Sequence, residues 1–193
     1  MQQSQLLSDV ERLTEGLGPL PEPEAQPTFI AVSGLPGTGK SYFCSKLAER
    51  LPFVILESDA LRKTLFLLPG YSQQESERLF RAIHLLIEKL LKRGISLVLD
   101  ATNLSERYRE RLYHIADRLN VKLVLVRVEA PPELVRERLK TRRGNPLATS
   151  DADWAVYQKM KSTVQKISRK HYVADTSQDI SPVLDKIVKE AAR

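Results

Sequence analysis

Residues 34–41 read Gly34-Leu-Pro-Gly-Thr-Gly-Lys40-Ser41, and this stretch decides the fold of the 193-residue chain. It follows the Walker A pattern, a glycine and four further residues before Gly-Lys-Ser, whose backbone N–H groups surround a polyphosphate. An apolar run over residues 28–33 precedes it, and Phe43, Leu47 and Leu51 follow at helical spacing. Because the pattern requires a strand before the loop and a helix after it, the sequence predicts a nucleotide-binding loop.

Each side chain of this loop has an expected task. Glycines let the backbone approach phosphate closely, and the N-terminus of the following helix adds the positive end of its dipole. Lys40 is expected to reach the β and γ phosphates, and the Ser41 hydroxyl is expected to bind Mg²⁺. The predicted nucleotide-binding residues of the loop are Gly34, Gly37, Thr38, Gly39, Lys40 and Ser41.

Short apolar runs alternate with longer amphipathic segments in the rest of the chain. This alternation predicts an α/β fold with a parallel sheet and helices on both faces. Three polar residues, Ser72, Asn103 and Ser150, each stand three positions before a carboxylate, a pattern typical of helix N-termini. The predicted strands are 28–33, 53–56, 96–99, 122–128 and 171–174, and the helices predicted from those N-termini are 73–92, 104–119 and 151–169.

Composition places the chain among soluble globular proteins. Hydrophobic residues make up 42% and charged residues 28%, which excludes a wholly disordered, collagen-like or membrane-embedded chain. No apolar run approaches the roughly 20 residues that span a bilayer, and the first residues lack the pattern of a secretion signal. The single cysteine, Cys44, excludes an internal disulfide and is expected to face the core. We therefore expect a cytoplasmic protein without a membrane partner.

The first 27 residues differ from the remainder. They contain five carboxylates and one arginine, so the basic excess of the chain, net +6, lies in residues 28–193. One short helical pattern is followed by Gly and Pro residues over 16–27, which indicate a semi-rigid linker because proline resists regular structure. The sequence predicts an N-terminal helix and linker over 1–27 and one basic domain over 28–193. It leaves open whether the helix docks on that domain.

A predicted strand ends in Asp100, as a Walker B strand does. Such a carboxylate lies beside the Walker A loop and is expected to hold Mg²⁺. The next residue is Ala101, where motor ATPases generally have a carboxylate that activates water. The alanine therefore favours transfer of a phosphoryl group to a bound acceptor over ATP-driven remodelling. The chain also lacks the Asn-Lys-x-Asp motif of guanine recognition, which argues against a small GTPase.

Asp59 follows the second predicted strand. In a doubly wound sheet this strand ends on the same edge as the Walker A loop, so Asp59 can face an acceptor hydroxyl and take its proton. Arg62 lies three residues later, on the same helical face, and is a candidate to hold a phosphate of the acceptor. The alternative is that Ser58 or Asp59 merely caps a short helix.

Arg138 and Arg142 are four residues apart on one helical face. With neighbouring Arg143 they indicate a basic lid over residues 136–150 that closes over triphosphate, because guanidinium groups stabilise charge on a transferring phosphoryl group. The sequence Gly144-Asn-Pro146 is expected to end this helix. The alternative is an ordinary solvated basic face.

Together these residues resemble the P-loop kinases related to polynucleotide 5′-hydroxyl kinase. The same broad group includes zeta-toxin-like, chloramphenicol-phosphotransferase-like and gluconate-kinase-like enzymes. The resemblance covers about residues 28–193 and is carried by the loop 34–41, the pair Asp59-x-x-Arg62, the strand end Asp100-Ala-Thr-Asn103, the pair Arg138 and Arg142, and the helix start Ser150-Asp-Ala-Asp-Trp154.

This resemblance implies a three-layer sandwich with a five-stranded parallel sheet of order 2-3-1-4-5, and ATP and Mg²⁺ as cofactors. It also implies that Asp59 activates the acceptor hydroxyl, Arg62 touches the acceptor, and Arg138 with Arg142 clamp the phosphates. The implied activity is transfer of the γ-phosphoryl group of ATP to a hydroxyl, either on a single-stranded nucleic acid end or on a small metabolite or antibiotic. A non-catalytic ATP-binding switch module is the rival interpretation.

Overall fold

The computed structural model describes residues 2–142 and 151–192, and five parallel strands form its sheet. The strand order is β2-β3-β1-β4-β5, which confirms the expected α/β class and order. The strands are β1 (Thr28–Ser33), β2 (Val54–Glu57), β3 (Leu97–Asp100), β4 (Lys122–Glu129) and β5 (Tyr172–Asp175).

Helices connect the strands and cover both faces of the sheet. None of the helices in the described ranges is both long and apolar enough to cross a membrane. The helices are α1 (Gln2–Glu15), α2 (Lys40–Ala48), α3 (Ser58–Leu65), α4 (Gln73–Lys92), α5 (Glu106–Leu119), α6 (Pro132–Arg142), α7 (Trp154–Lys161) and α8 (Ser181–Ala191).

Alternating residues of the strands point to opposite faces of the sheet and supply two separate cores. Phe29 and Leu97 belong to the core that is shared with α4, α5 and α1. Ile30 and Val98, one residue further along the same strands, belong to the core shared with α2 and α8. Cys44 is buried in this second core, as predicted. The sheet is therefore the middle layer of a three-layer sandwich.

The strand register brings the candidate site residues to one edge of the sheet. Asp100, the last residue of β3, pairs with Val32 of β1 and with Glu57 of β2. Because all the strands are parallel, their carboxyl ends lie on this edge, where the loops into α2 and α3 begin.

Two predicted helix starts differ from the structure. Ser72 does cap α4, since its hydroxyl accepts from the Glu75 N–H at 3.2 Å. Asn103, however, does not cap α5, which begins at Glu106 after Ser105. The buried Asn103 side chain instead donates to the Val32 carbonyl at 3.0 Å, so it ties β3 to β1. The predicted start at 104 was wrong because this tertiary bond uses the amide.

The predicted helix 151–169 is shorter in the structure. It begins at Trp154, where Asp153 caps it by accepting from the Val156 N–H at 2.9 Å, and it ends at Lys161. Ser150 lies outside the described residues. Beyond the helix, the buried guanidinium of Arg109 donates to the carbonyls of Gln165 and Lys166. These bonds hold the segment after α7 on α5 in a non-helical conformation.

The N-terminal helix α1 docks on the body of the protein. Its residues Val10 and Leu13 are buried in the core beside α4, and Arg12 donates to the Thr64 carbonyl of α3 at 2.8 Å. In the linker, the Glu24 N–H donates to the Gly94 carbonyl and the Ser96 hydroxyl donates to the Glu24 carboxylate. The sequence left open whether the N-terminal helix docks on the domain, and these contacts show that it does.

Candidate active site

Close packing shapes the Walker A loop between β4 and α6. A Cβ atom on Gly34 would lie 2.4 Å from the Val128 carbonyl oxygen, which is well inside contact distance. Gly37 has φ +78, and a Cβ there would lie 2.9 Å from Leu139 of α6. Only glycine fits both positions without strain. The shape of the loop is therefore closely tied to the neighbouring backbone of β4 and side chains of α6.

Thr176, which follows β5, fastens this loop to α6. Its hydroxyl donates to the Thr38 carbonyl at 2.7 Å and accepts from the Arg138 guanidinium at 2.8 Å. Arg138 also donates to the Thr176 carbonyl at 3.0 Å. Sequence reasoning missed Thr176, because a threonine in a turn carries no local signal of such a contact. Arg138 thus has a fixed position beside the loop.

Lys40 lies at the base of the cleft above the loop. Its ammonium group donates to the Leu35 carbonyl at 3.1 Å. Burial lowers the pKa of Lys40, while the nearby carboxylates of Asp100 and Asp59 oppose that shift. These two aspartates and the lysine therefore form one electrostatic group, although they come from three different segments of the chain.

Ser41 and Asp100 form a pair of oxygen ligands at the same edge. The Ser41 hydroxyl donates to the Asp100 carboxylate at 2.7 Å, and Asp100 is only 4% exposed. Burial raises the pKa of Asp100, and Lys40 and the Ser41 hydrogen bond act against that rise. Hydroxyl and carboxylate oxygens suit Mg²⁺, which is usually held by one or two carboxylates together with substrate phosphates. No group of three or more His, Cys, Asp or Glu residues suited to a metal occurs in the described ranges.

Asp59 lines the cleft from the first turn of α3. The cap position of this helix is occupied by Glu57, which makes no side-chain capping bond. The structure therefore does not place Asp59 at the cap, contrary to the alternative interpretation. Its carboxylate is close enough to Lys40 and Asp100 to change the pKa of both.

Arg62 is buried next to α4 and is already strongly bound within the protein. It donates to the Glu75 carboxylate at 2.6 Å and to the Ser76 hydroxyl at 3.2 Å, and its guanidinium lies 4.8 Å from the centre of the Tyr71 ring. Burial would raise the pKa of Glu75, but the bonds from Arg62 and the Gly70 N–H outweigh it and lower that pKa. Arg62 lines the cleft with its charge largely neutralised by Glu75.

Arg142 lies one helical turn beyond Arg138 on α6, and both line the cleft. The charge of Arg142 lowers the pKa values of Lys40 and Asp100, which places it within electrostatic reach of the loop. Arg143, the predicted helix end Gly144-Asn-Pro146 and the rest of the predicted lid to residue 150 lie outside the described residues.

Trp154 and Tyr157 stack on each other beside α6, with ring centres 4.8 Å apart and planes inclined by 15°. They pack against Val135 and Leu139 of α6. This apolar cluster fixes the start of α7 against α6.

One cleft of about 990 Å³ is lined by charged and hydroxyl side chains described above, namely Lys40, Ser41, Asp59, Arg62, Asp100, Arg138 and Arg142. It extends from the Walker A loop past Asp59 and Arg62 to side chains of α4, α5 and α7 that sequence reasoning did not select. The most prominent of these are Phe80, His84 and Tyr108.

A five-stranded parallel sheet of this order, with a Walker A loop and an acidic strand end at its carboxyl edge, defines a P-loop nucleotide-binding protein with a kinase-like fold. The sequence pattern of one family, described as an AAA domain, matches residues 29–167. The chain belongs to this family.

Solved structures with the same fold include Kti12 and several kinases. Kti12 from Chaetomium thermophilum, in complex with ADP-AlF3, is 19% identical with a TM-score of 0.68, over 86% of this chain and 100% of Kti12. The APS kinase CysC from Mycobacterium tuberculosis, in complex with AMPPNP and APS, is 18% identical with a TM-score of 0.63, over 89% and 100%. A gluconokinase from Sinorhizobium meliloti is 21% identical with a TM-score of 0.61, over 88% and 94%. No curated protein matches the sequence significantly.

Proposed function

We propose that this protein is an ATP-dependent kinase that transfers the γ-phosphoryl group to a hydroxyl acceptor. The observation that carries the proposal is the common location of Asp59, Lys40 and the Ser41–Asp100 pair in one cleft. A nucleotide-binding module needs the last three groups but has no use for a further carboxylate at the acceptor side. The solved kinases with this fold support the same conclusion.

In the proposed reaction, the acceptor oxygen attacks the γ-phosphorus while the bond to the β–γ bridging oxygen breaks and ADP leaves. Asp59 accepts the proton of the acceptor hydroxyl. The Walker A backbone and Lys40 hold the β and γ phosphates, and Arg138 and Arg142 balance the charge on the transferring group. Mg²⁺, held by Ser41 and Asp100, would supply further neutralisation of phosphate charge when bound.

Two acceptor classes belong to this proposal. The first is a single-stranded nucleic acid with a 5′-hydroxyl end, and the second is a small metabolite or antibiotic hydroxyl. We also propose a cytoplasmic location, because ATP and Mg²⁺ are available there and the single cysteine, Cys44, stays reduced.

Two aspartate variants test the mechanism because they separate metal binding from acceptor activation. Asp59→Asn is expected to keep Mg-ATP affinity near that of wild type and to lose about 10²- to 10⁴-fold in turnover, since an amide cannot accept the proton. Asp100→Asn is expected to weaken the Mg²⁺ dependence of nucleotide binding. Asp185→Asn, at an exposed position on α8, is the matched control and should behave as wild type.

The assay uses γ-labelled ATP with a panel of 5′-hydroxyl oligonucleotides, nucleosides and small alcohols, while calorimetry measures Mg-ATP affinity. Label in any hydroxyl compound identifies the acceptor class. Wild-type turnover in Asp59→Asn contradicts the assigned base. ATP binding without label in any acceptor favours the switch module.

A further inference from the structure

The cleft continues beyond the reacting groups into a region whose walls are mostly aromatic and apolar. We call this region the aromatic end and define it by six lining residues, Phe80, His84, Tyr108, Val156, Lys159 and Met160. They belong to α4, α5 and α7. The transferred phosphoryl group does not require such a surface.

A stripe on α4 connects this region to the reacting groups. The Ser76 hydroxyl accepts from Arg62, and Phe80 and His84 follow it at intervals of four residues on the same helical face. With a rise of 1.5 Å per residue, His84 lies about 12 Å along the helix from Ser76. The same cleft thus has room along this stripe for the body of a ligand whose hydroxyl is next to Asp59.

The rings of Phe80 and Tyr108 provide a stacking surface. Their centres are 6.1 Å apart with planes inclined by 28°, and the ring of His84 lies 6.2 Å from that of Phe80. Tyr108 lines the cleft and is 44% exposed, so part of its ring is open to a ligand there. Aromatic faces of this kind bind flat rings by stacking.

His84 adds a neutral polar group to this surface. Burial, helped by the charge of Arg111, lowers the pKa of His84 to about 4, so the imidazole has one N–H donor and one nitrogen acceptor at neutral pH. Among the described residues, no group forms a hydrogen bond or an ion pair with the His84 imidazole, whose ring contacts Phe80. Its hydrogen-bonding capacity is thus available to a ligand in the cleft.

The charges of the region favour an uncharged ligand. In the part of the chain that the structure describes, only two cations act on this region, Lys159 in its lining and Arg111 within electrostatic reach of His84, since the nearby Arg62 is neutralised by Glu75 at 2.6 Å. A bound polyanion would need several cations along its path.

We propose that the aromatic end is the acceptor subsite, and that the acceptor is a small, uncharged hydroxyl compound with a flat aromatic or heteroaromatic ring. The ring stacks on Phe80 and Tyr108, and a polar atom at its edge bonds to His84. This inference rests on the proposed kinase function, because only a kinase has an acceptor. The binding of the ring compound can nevertheless be measured without any phosphoryl transfer.

The test compares ring-bearing probes with matched probes that lack the ring. Binding of adenosine against ribose, and of 2-phenylethanol against 2-cyclohexylethanol, is measured by saturation-transfer NMR on the full chain saturated with Mg-ADP. The aromatic member of each pair is expected to bind more tightly and to shift the imidazole signals of His84. Phe80→Leu and Tyr108→Leu are each expected to weaken that binding on the order of tenfold or more.

Phe53→Leu is the matched control, since Phe53 is also a half-buried phenylalanine against the core but lies outside the cleft. Mg-ADP affinity should stay unchanged in all three variants. Tyr108→Leu, at an exposed position, keeps the test valid if Phe80→Leu does not fold.

Equal binding of the two members of each pair, or wild-type binding in both cleft variants, overturns the proposal. Tighter binding of a 5′-hydroxyl oligothymidylate, with affinity falling steeply as salt rises, overturns the small acceptor in favour of a nucleic acid end. Stacking that depends on Phe80 and Tyr108, without transfer of label to the bound probe, supports the subsite and refutes only the kinase function. Transfer of label to ribose that Phe80→Leu does not reduce supports the kinase function and refutes the aromatic subsite.

Discussion

The ion pair between Asp9 and Arg78 attaches helix α1 to helix α4. Because only one of the two charges is buried, removal of each partner should have a different effect on stability. The Asp9 side chain is 1% exposed, whereas that of Arg78 is 39% exposed. Arg78 donates twice to the Asp9 carboxylate, at 2.7 Å each, and Gln5 donates to it at 3.0 Å. Arg78→Ala therefore leaves a buried charge, while Asp9→Ala leaves a charge that water can reach.

These exposures predict which of the substitutions lowers the free energy of unfolding most. Loss of the partner of a buried charge costs about 3–5 kcal/mol, so Arg78→Ala should lower the free energy of unfolding by about that amount. Asp9→Ala should cost about 1–3 kcal/mol, because only a hydrogen-bonded partner is lost and the guanidinium is solvated. Arg81→Ala, at an exposed position on the same helix, is the control and should cost less than about 0.5 kcal/mol.

The difference between wild type and Arg78→Ala should depend on pH. The hydrogen bond from Arg78 lowers the pKa of Asp9 below 3.8 in the folded state. A lowered pKa stabilises the fold above the unfolded pKa, and that stabilisation is lost as the pH falls through the folded pKa. The difference is therefore full at pH 7 and shrinks below about pH 4.

Urea unfolding followed by circular dichroism measures these free energies, and amide hydrogen exchange detects whether α1 detaches alone. Arg78→Ala should give faster exchange in α1 than Arg81→Ala does. If Arg78→Ala and Arg81→Ala are equal in both measurements, or if Asp9→Ala is the more harmful of the pair, the burial argument is refuted.

Two further predictions concern the Walker A loop. Gly34→Ala should abolish Mg-ATP binding in calorimetry, because the new Cβ would lie 2.4 Å from the Val128 carbonyl, whereas Gly18→Ala has open space and should bind as wild type does; equal affinities would show that the loop adapts. Lys40→Ala should keep the circular dichroism spectrum and lose phosphoryl transfer, because the backbone shapes the loop and the lysine serves the phosphates; wild-type turnover would contradict the nucleotide site.

Local sequence was sufficient where a feature depends on near neighbours along the chain. The spacing of glycines, lysine and serine over 34–41 identifies the loop, and β1 and α4 occupy the predicted residues because periodicity and the Ser72 cap are local properties. The family resemblance implied the strand order of the sheet, and the strand pairing confirms that order.

Prediction failed where a distant partner competes for a side chain. Asn103 has the sequence of a cap but bonds to β1, and Arg109 holds residues 165 and 166 away from the helix that their composition favours. In both cases a tertiary hydrogen bond replaces the local one, and no nearby residue announces it.

The sequence by itself predicted a nucleotide-binding loop and where Lys40, Ser41 and Asp100 lie relative to the sheet. Only the tertiary structure decided that Thr176 positions Arg138, that Glu75 neutralises Arg62, and that Phe80 and Tyr108 share one surface. The physical reason is sequence separation. The Walker A loop is a short backbone motif whose geometry is fixed by adjacent residues, whereas the proposed acceptor side is assembled from helices that meet only when the two cores are packed.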